Sequence, residues 1–581
     1  MMKRVGAIVA LLIGACGNQT EAPQQPAYDV IIKGGTVYNG SGAPGRADDI
    51  AISGDRIAAI GDLSDATAPT IIDASGKAVA PGIINMLSWA VEDLIHDGRS
   101  LGDISQGVTL EVFGEGVSYG PWSDEIKEQA KRRQSDITYD IDWTTLGEYL
   151  ESLERRGVSP NVASFVGATT LHASVIGYEN RAATPEELEQ MQDMVREAMR
   201  EGAMGVGSSL IYAPANFADT AELIALASAA GEFGGMYISH MRSESQQLLE
   251  ALDELIKIAE KAGVAAEIYH LKASGQTNWD KLDQVIANVE AAQARGLKIT
   301  ADMYAYPASS TGLDAAMPLW VQEGGYDKWA ERLQDPAVRA RVKEAILNPS
   351  PDFFSGITNA GGPEGVLLVG FRNPELRKYI GKTLAEVAEE RGTPYPETAM
   401  DLVIEDGSRV QVVYFSMSEA NIAKKVALPW VSFGSDGGSM APEGVFLNES
   451  THPRAYGNFA RIFAKYVREE GVIPIEEAVR KLTSLPAANL KLKDRGRLEP
   501  GFYADIVVFD PATIQDKATF AEPHQLAVGV EHVFVNGAHT LKDGQHTGVK
   551  AGRVVRGPGW TGHDKEAGIL RGYVIELADE Q

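Results

Sequence analysis

Between residues 78 and 436 the chain alternates short β-rich runs with amphipathic helical stretches, and few architectures accept that rhythm. The runs are 78–86, 109–114, 162–167, 204–208, 236–240, 265–270, 298–304 and 430–436. Between several of them, as at 185–201, 246–261 and 279–295, apolar residues recur with helical spacing. Strand–helix alternation predicts a parallel sheet with helical crossovers, and eight such units close into an α/β, TIM-like (β/α)8 barrel. Such a barrel places its chemistry at the C-terminal ends of its strands. The stretch 312–422, before the last run, is too long for a plain connection and reads as an inserted subdomain or lid.

At 581 residues the chain exceeds one ordinary core. Short β-rich runs divided by Gly-Gly, Ser-Gly and Gly-Asp turn signals fill residues 29–60, and the same grammar returns at 505–509, 532–535 and 554–555. Two β segments flanking an α/β middle predict one discontinuous β-sandwich domain, 29–80 plus 495–556, around a barrel spanning 81–494. Residues 557–581 are left as a C-terminal extension.

The N-terminus carries Lys3 and Arg4, an apolar run from Val5 to Ile13, then Gly14-Ala15-Cys16. This has the form of a signal peptide, 1–15, and its apolar run is too short to span a bilayer. Ile13-Gly14-Ala15-Cys16 resembles the lipobox of bacterial lipoproteins. That resemblance implies cleavage before Cys16, lipidation of its sulfur, and a membrane-anchored protein facing the periplasm, with 16–28 as a tether. Cys16 is also the lone cysteine, so no intramolecular disulfide can form. The formal net charge of −27, from 53 basic and 80 acidic side chains, argues against nucleic acid as a partner.

Several polar residues fall at strand ends. His240 ends the fifth run and His270 the sixth; Asp436 ends the eighth, and Glu115 follows the second. Two imidazoles, a carboxylate and an open position match a hydrolytic zinc site. A further carboxylate can take a proton from an attacking water and return it to a leaving amine.

Ala80-Pro-Gly-Ile83, Tyr237-Ile-Ser-His-Met-Arg-Ser-Glu244, Tyr269-His-Leu-Lys272 and Gly434-Ser-Asp-Gly437 resemble motifs of the amidohydrolase superfamily. Gly202–Tyr212, Asp302–Tyr306, Thr451-His-Pro-Arg454 and Gly501–Asp510 are similar to the D-aminoacylases within it, over about residues 29–556. The resemblance implies zinc-dependent hydrolysis of N-acyl amino acids. It also implies a clamp on the substrate carboxylate by Lys272, Arg454, Tyr304 or Tyr306, and Ser310, with Tyr212 closing the pocket.

The departures from the family are specific. Its first strand normally ends in Asp-x-His-x-His, whose histidines bind metal; here it reads Asn85-Met-Leu87-Ser-Trp89. A Cys after the second strand is replaced by Glu115, and the family's Gly-His and Leu-Arg pairs become Gly167-Ala168 and Leu171-His172. The expectation is therefore one zinc per chain held by Glu115, His240 and His270, with metal-activated water as nucleophile and Asp436 as general acid/base. A dipeptidase or cyclic-amide hydrolase on the same scaffold, or a non-catalytic lipoprotein binding module, are the alternatives.

Overall fold

The computed structural model describes residues 28–350, 353 and 355–562. Cys16, the signal sequence, most of the tether and the extension beyond residue 562 lie outside the described residues.

Seven barrel strands follow one another: β1 (Ile83–Asn85), β2 (Val108–Phe113), β3 (Asn161–Ser164), β4 (Gly205–Ser209), β5 (Met236–His240), β6 (Ala266–Ile268) and β7 (Ile299–Ala301). Parallel pairing joins β1 to β2 and β2 to β3. Val166–Gly167, continuing β3, pairs with β4, and β4 through β7 pair in sequence. Parallel bridges Ala301↔Val431 and Ser88↔Gly437 close the barrel. The eighth element, 430–437, is thus hydrogen-bonded on both sides without forming a continuous strand. Strands β2, β4 and β5 are buried along their whole length, as parallel strands covered on both faces are.

Local chemistry sets the crossovers. Pro185–Arg200 starts on a capping box, in which Thr184 Oγ1 accepts from Glu187 N and the Glu187 carboxylate accepts from Thr184 N, with Pro185 in the first turn. Its one buried face carries Met191, Val195, Ala198 and Met199. Leu248–Ala262 packs Leu252, Leu255, Ile258 and Ala259 inward and ends on Gly263 in the left-handed region.

The run 78–86 is two strands. Ala78–Pro81 pairs antiparallel with Ile506–Phe509, whereas β1 pairs with β2. Ile506–Phe509 in turn pairs with Val530–Val535, so one sheet interleaves strands from both ends of the chain. A second sheet, of Val30–Lys33, Asp49–Ser53, Arg56–Gly61 and Thr70–Asp73, packs on it through Ile32, Ile52, Val79, Ile506 and Phe534. The insert has its own core, including Leu313, Trp329, Leu368 and Val403, and its own antiparallel sheet. That sheet begins at Ser309–Gly312, three residues before the expected boundary, and includes Val366–Gly370 and Gln411–Tyr414. Among the described residues no helix is long and apolar enough to cross a membrane.

Candidate metal centre and substrate cavity

A cavity of about 480 Å³ opens at the C-terminal ends of the strands, between the barrel and the insert. Glu115 reaches it from the loop after β2. Glycines on both sides, Gly114 at φ 107° and Gly116 at φ 70°, allow the reversal, and a Cβ on either would meet neighbouring atoms at 2.4–2.5 Å. His240 is the last residue of β5. His270 follows β6 in the left-handed region at φ 36°, its N–H donating to Asp302 Oδ1 at 2.9 Å. Asp436 also sits left-handed, at φ 49°, its N–H bound to Leu87 O at 2.9 Å. Both non-glycine residues hold a strained backbone at the point where their side chains enter the cavity.

The three expected ligands meet. Glu115 Oε1 lies 2.9 Å from His240 Nδ1 and 2.8 Å from His270 Nε2. All three donor atoms fall within 4.8 Å of one another on buried residues. Ligands of a tetrahedral zinc, each about 2.0–2.2 Å from the ion, are themselves about 3.3 Å apart. The set therefore fits zinc in kind and spacing, with an opening of a few tenths of an ångström.

Charge organises the cluster. Burial works to raise the Glu115 carboxyl, but its contacts with the imidazoles of His270 and His240 hold it well below the usual range. Burial and the Lys272 ammonium push His270 down; the Glu115, Glu244 and Asp436 carboxylates outweigh them and bring it up to about 10. Glu244, four residues after His240, is a member that sequence reasoning left without a role. Its Oε1 accepts from Lys272 Nζ at 2.7 Å and lies 3.1 Å from His270 Nδ1, and its Oε2 is 3.6 Å from His240 Nε2. A carboxylate behind two imidazoles is the usual device for fixing ring orientation. Its spacing within Tyr237–Glu244 was the available signal.

Asp436 lies beside the cluster. Its Oδ1 accepts from Trp89 Nε1 at 3.2 Å, and its Oδ2 is 2.8 Å from Arg454 Nη1. Burial pushes the Asp436 carboxyl up, and Arg454 opposes the shift. The Arg454 approach is a close ion pair without hydrogen-bond alignment, since Nη1 and Nε, both buried, have no aligned acceptor among the described residues.

The remaining expected residues divide. Lys272, Ser310 and Tyr212 line the cavity. Ser310 Oγ, however, donates to Val412 O at 2.9 Å, and Tyr212 OH is bound to Thr311 Oγ1 at 2.8 Å. Tyr304 lies under the cations, with the Arg454 guanidinium 4.5 Å and Lys272 Nζ 5.6 Å from its ring centre. Tyr306 is a correction: it turns away, donating to Asp516 Oδ2 at 3.2 Å with Arg461 over its ring. His172, where the family carries Arg, is buried with Nδ1 3.0 Å from Glu222 Oε1, away from the cavity.

The sequence pattern of the amidohydrolase family matches residues 364–540. A D-aminoacylase of Alcaligenes xylosoxydans xylosoxydans is 35% identical over 537 residues, covering 92% of this chain and 99% of that protein. The chain belongs to the D-aminoacylase family of amidohydrolases. A solved D-aminoacylase with a binuclear metal centre superposes with a TM-score of 0.75 at 32% identity, covering 91% of this chain and all of that one. The N-acyl-D-glutamate deacylase of Bordetella bronchiseptica, solved with zinc and a phosphonate mimic of the tetrahedral intermediate, gives 0.75 at 30% identity, covering 91% and 99%.

Proposed function

We propose that the protein is a zinc-dependent hydrolase that cleaves the amide bond of N-acyl-D-amino acids, releasing a carboxylate and a free amino acid. The observation that carries this is the convergence of Glu115 Oε1, His240 Nδ1 and His270 Nε2 beside Asp436, facing the buried donors of Arg454. When bound there, zinc acidifies water and polarises the scissile carbonyl. Asp436 accepts the proton of the attacking water and returns it to the leaving nitrogen. Arg454, whose buried Nε and Nη1 lack aligned acceptors, takes the substrate carboxylate, with Lys272 as a second cation at the same end. Tyr304 holds both cations from below, Tyr212 and Ser310 wall the cavity, and Glu244 fixes the two imidazoles. N-acyl-D- and N-acyl-L-amino acids and dipeptides assayed on zinc-analysed protein test the reading. Turnover of the N-acyl-D set is expected; zinc-loaded protein that hydrolyses none of them refutes it.

The sequence also supports an anchor. Lys3, Arg4, the apolar run and Cys16 form a lipoprotein signal, which would hold the enzyme at the membrane on its tether. A radiolabelled or alkyne fatty-acid precursor should mark the wild type and miss Cys16→Ser; equal labelling of both removes the anchor.

A further inference from the structure

Trp89 stands at the second of the two first-strand positions where the family pattern has metal-binding histidines, and its ring is not merely parked there. The residue is 37% exposed at the cavity wall, yet its indole nitrogen points inward. Nε1 donates to Glu115 Oε2 at 2.9 Å and reaches Asp436 Oδ1 at 3.2 Å. Leu87, at the other histidine position, is fully buried in a cluster with Ile84, Met86, Leu110 and Val112 and offers no donor atom.

Two carboxylates are thereby divided in the same way. Glu115 turns Oε1 to the imidazoles and Oε2 to the indole; Asp436 turns Oδ2 to Arg454 and Oδ1 to the indole. Left to themselves, Glu115 Oε2 and Asp436 Oδ1 would repel each other and offer a second cation two anionic ligands. An indole N–H is a donor with no lone pair to coordinate through and no charge to lose. It satisfies both oxygens while excluding an ion from between them.

We infer that Trp89 is a positioning residue that does the work of a second cation: it bridges Glu115 and Asp436, limits the centre to one zinc, and aims Asp436 at the reacting atoms. The inference rests on the zinc centre proposed above. It explains why Glu115 presents a single oxygen to His240 and His270. It also gives the first-strand departure a function, since the lost histidine is replaced by a group that makes the lost metal unnecessary.

Trp89→Phe keeps the ring and removes the N–H; Trp89→His restores a coordinating nitrogen and serves as a second variant should the first fold poorly. Metal content is measured after dialysis against one and against ten equivalents of zinc. The visible spectrum of the cobalt-substituted protein gives a readout independent of turnover. The wild type is expected to hold one ion at both concentrations, and Trp89→His to approach two at the higher. Trp89→Phe should lose about 10–100-fold, the scale of an outer-shell contact, in kcat with little change in KM, and its cobalt spectrum should shift. A wild type with one zinc, matched by both variants in uptake, spectrum and kcat, overturns the role of Trp89 alone. A wild type that takes up two ions tightly also overturns it, whereas one that takes up none overturns the functional reading beneath it.

Discussion

Replacing Asp436 by Asn separates its chemistry from its contacts. Both carboxylate oxygens face donors, Trp89 Nε1 at 3.2 Å and Arg454 Nη1 at 2.8 Å. An amide of the same shape can accept from one of them but must set its own N–H₂ against the other. Trp89 Nε1 keeps Glu115 Oε2 as an acceptor, whereas the buried Arg454 guanidinium loses its ion pair, a cost of about 1–3 kcal/mol visible as a lowered melting temperature in a protein that still folds. Zinc content should not change, because Asp436 is not among the three donor atoms that converge on the metal position. The proton relay is lost entirely, so kcat should fall by about 10²–10⁴, equivalent to about 2.7–5.4 kcal/mol of barrier. Steady-state kinetics with an N-acyl-D-amino acid, alongside metal analysis of the same sample, reads both quantities. Near-normal kcat would refute the general acid/base role. Loss of zinc together with activity would show instead that Asp436 is a ligand.

Zinc uptake should depend on pH with a defined sign. His270 sits at about 10 in the metal-free protein, above its unfolded value near 6.5, so its bound proton stabilises the metal-free fold fully below about pH 6.5 and ceases to do so as pH rises through 10. Coordination requires the neutral ring, so zinc must expel that proton and affinity should rise by up to about tenfold per pH unit between pH 7 and 9; calorimetry in buffers of different ionisation heat that detects no proton release would contradict it. Glu244→Gln removes the carboxylate behind both imidazoles and should weaken zinc about 10–100-fold, measured by competition with a chelator, while leaving the cavity walls intact. Arg454→Ala and Lys272→Ala should act mainly through KM for substrates bearing the carboxylate; equal KM values for the wild type and both variants would place the carboxylate elsewhere.

The barrel was legible because its strands, buried on both faces, are short β-rich runs such as Met236–His240 and Val108–Phe113 set between helical stretches. The same property hides the break at Gly82. Ala78–Pro81 and β1 are equally apolar and buried, and only their partners, Ile506–Phe509 and β2, tell them apart. Glu115, His240, His270 and Asp436 could be read from strand ends, since a barrel brings those ends together. Glu244 was legible only through its place four residues after His240, and Trp89 was not legible at all. A sequence says that an indole cannot coordinate zinc; that its N–H reaches two carboxylates depends on Asp436 N bonding to Leu87 O across the barrel seam. Tyr304 and Tyr306 are likewise indistinguishable by position, and the fold separates them by giving one Arg454 and the other Asp516.

The sheet that interleaves both chain ends bears on how the molecule is made. Ala78–Pro81 leads directly into β1, yet one of its hydrogen-bonding edges is completed by Ile506–Phe509, which is synthesised after the entire barrel. Until that segment arrives, the strand that feeds the barrel presents an apolar, unpaired edge. Folding therefore finishes from the far end, and a chain emerging in order cannot seal its first domain early. Under the export proposed above, that delay would keep the polypeptide threadable until its last β-hairpin has been delivered. The same dependence makes the C-terminal strands a point of failure, since a truncation that never touches the cavity would leave the barrel's entrance strand unpaired and open to aggregation.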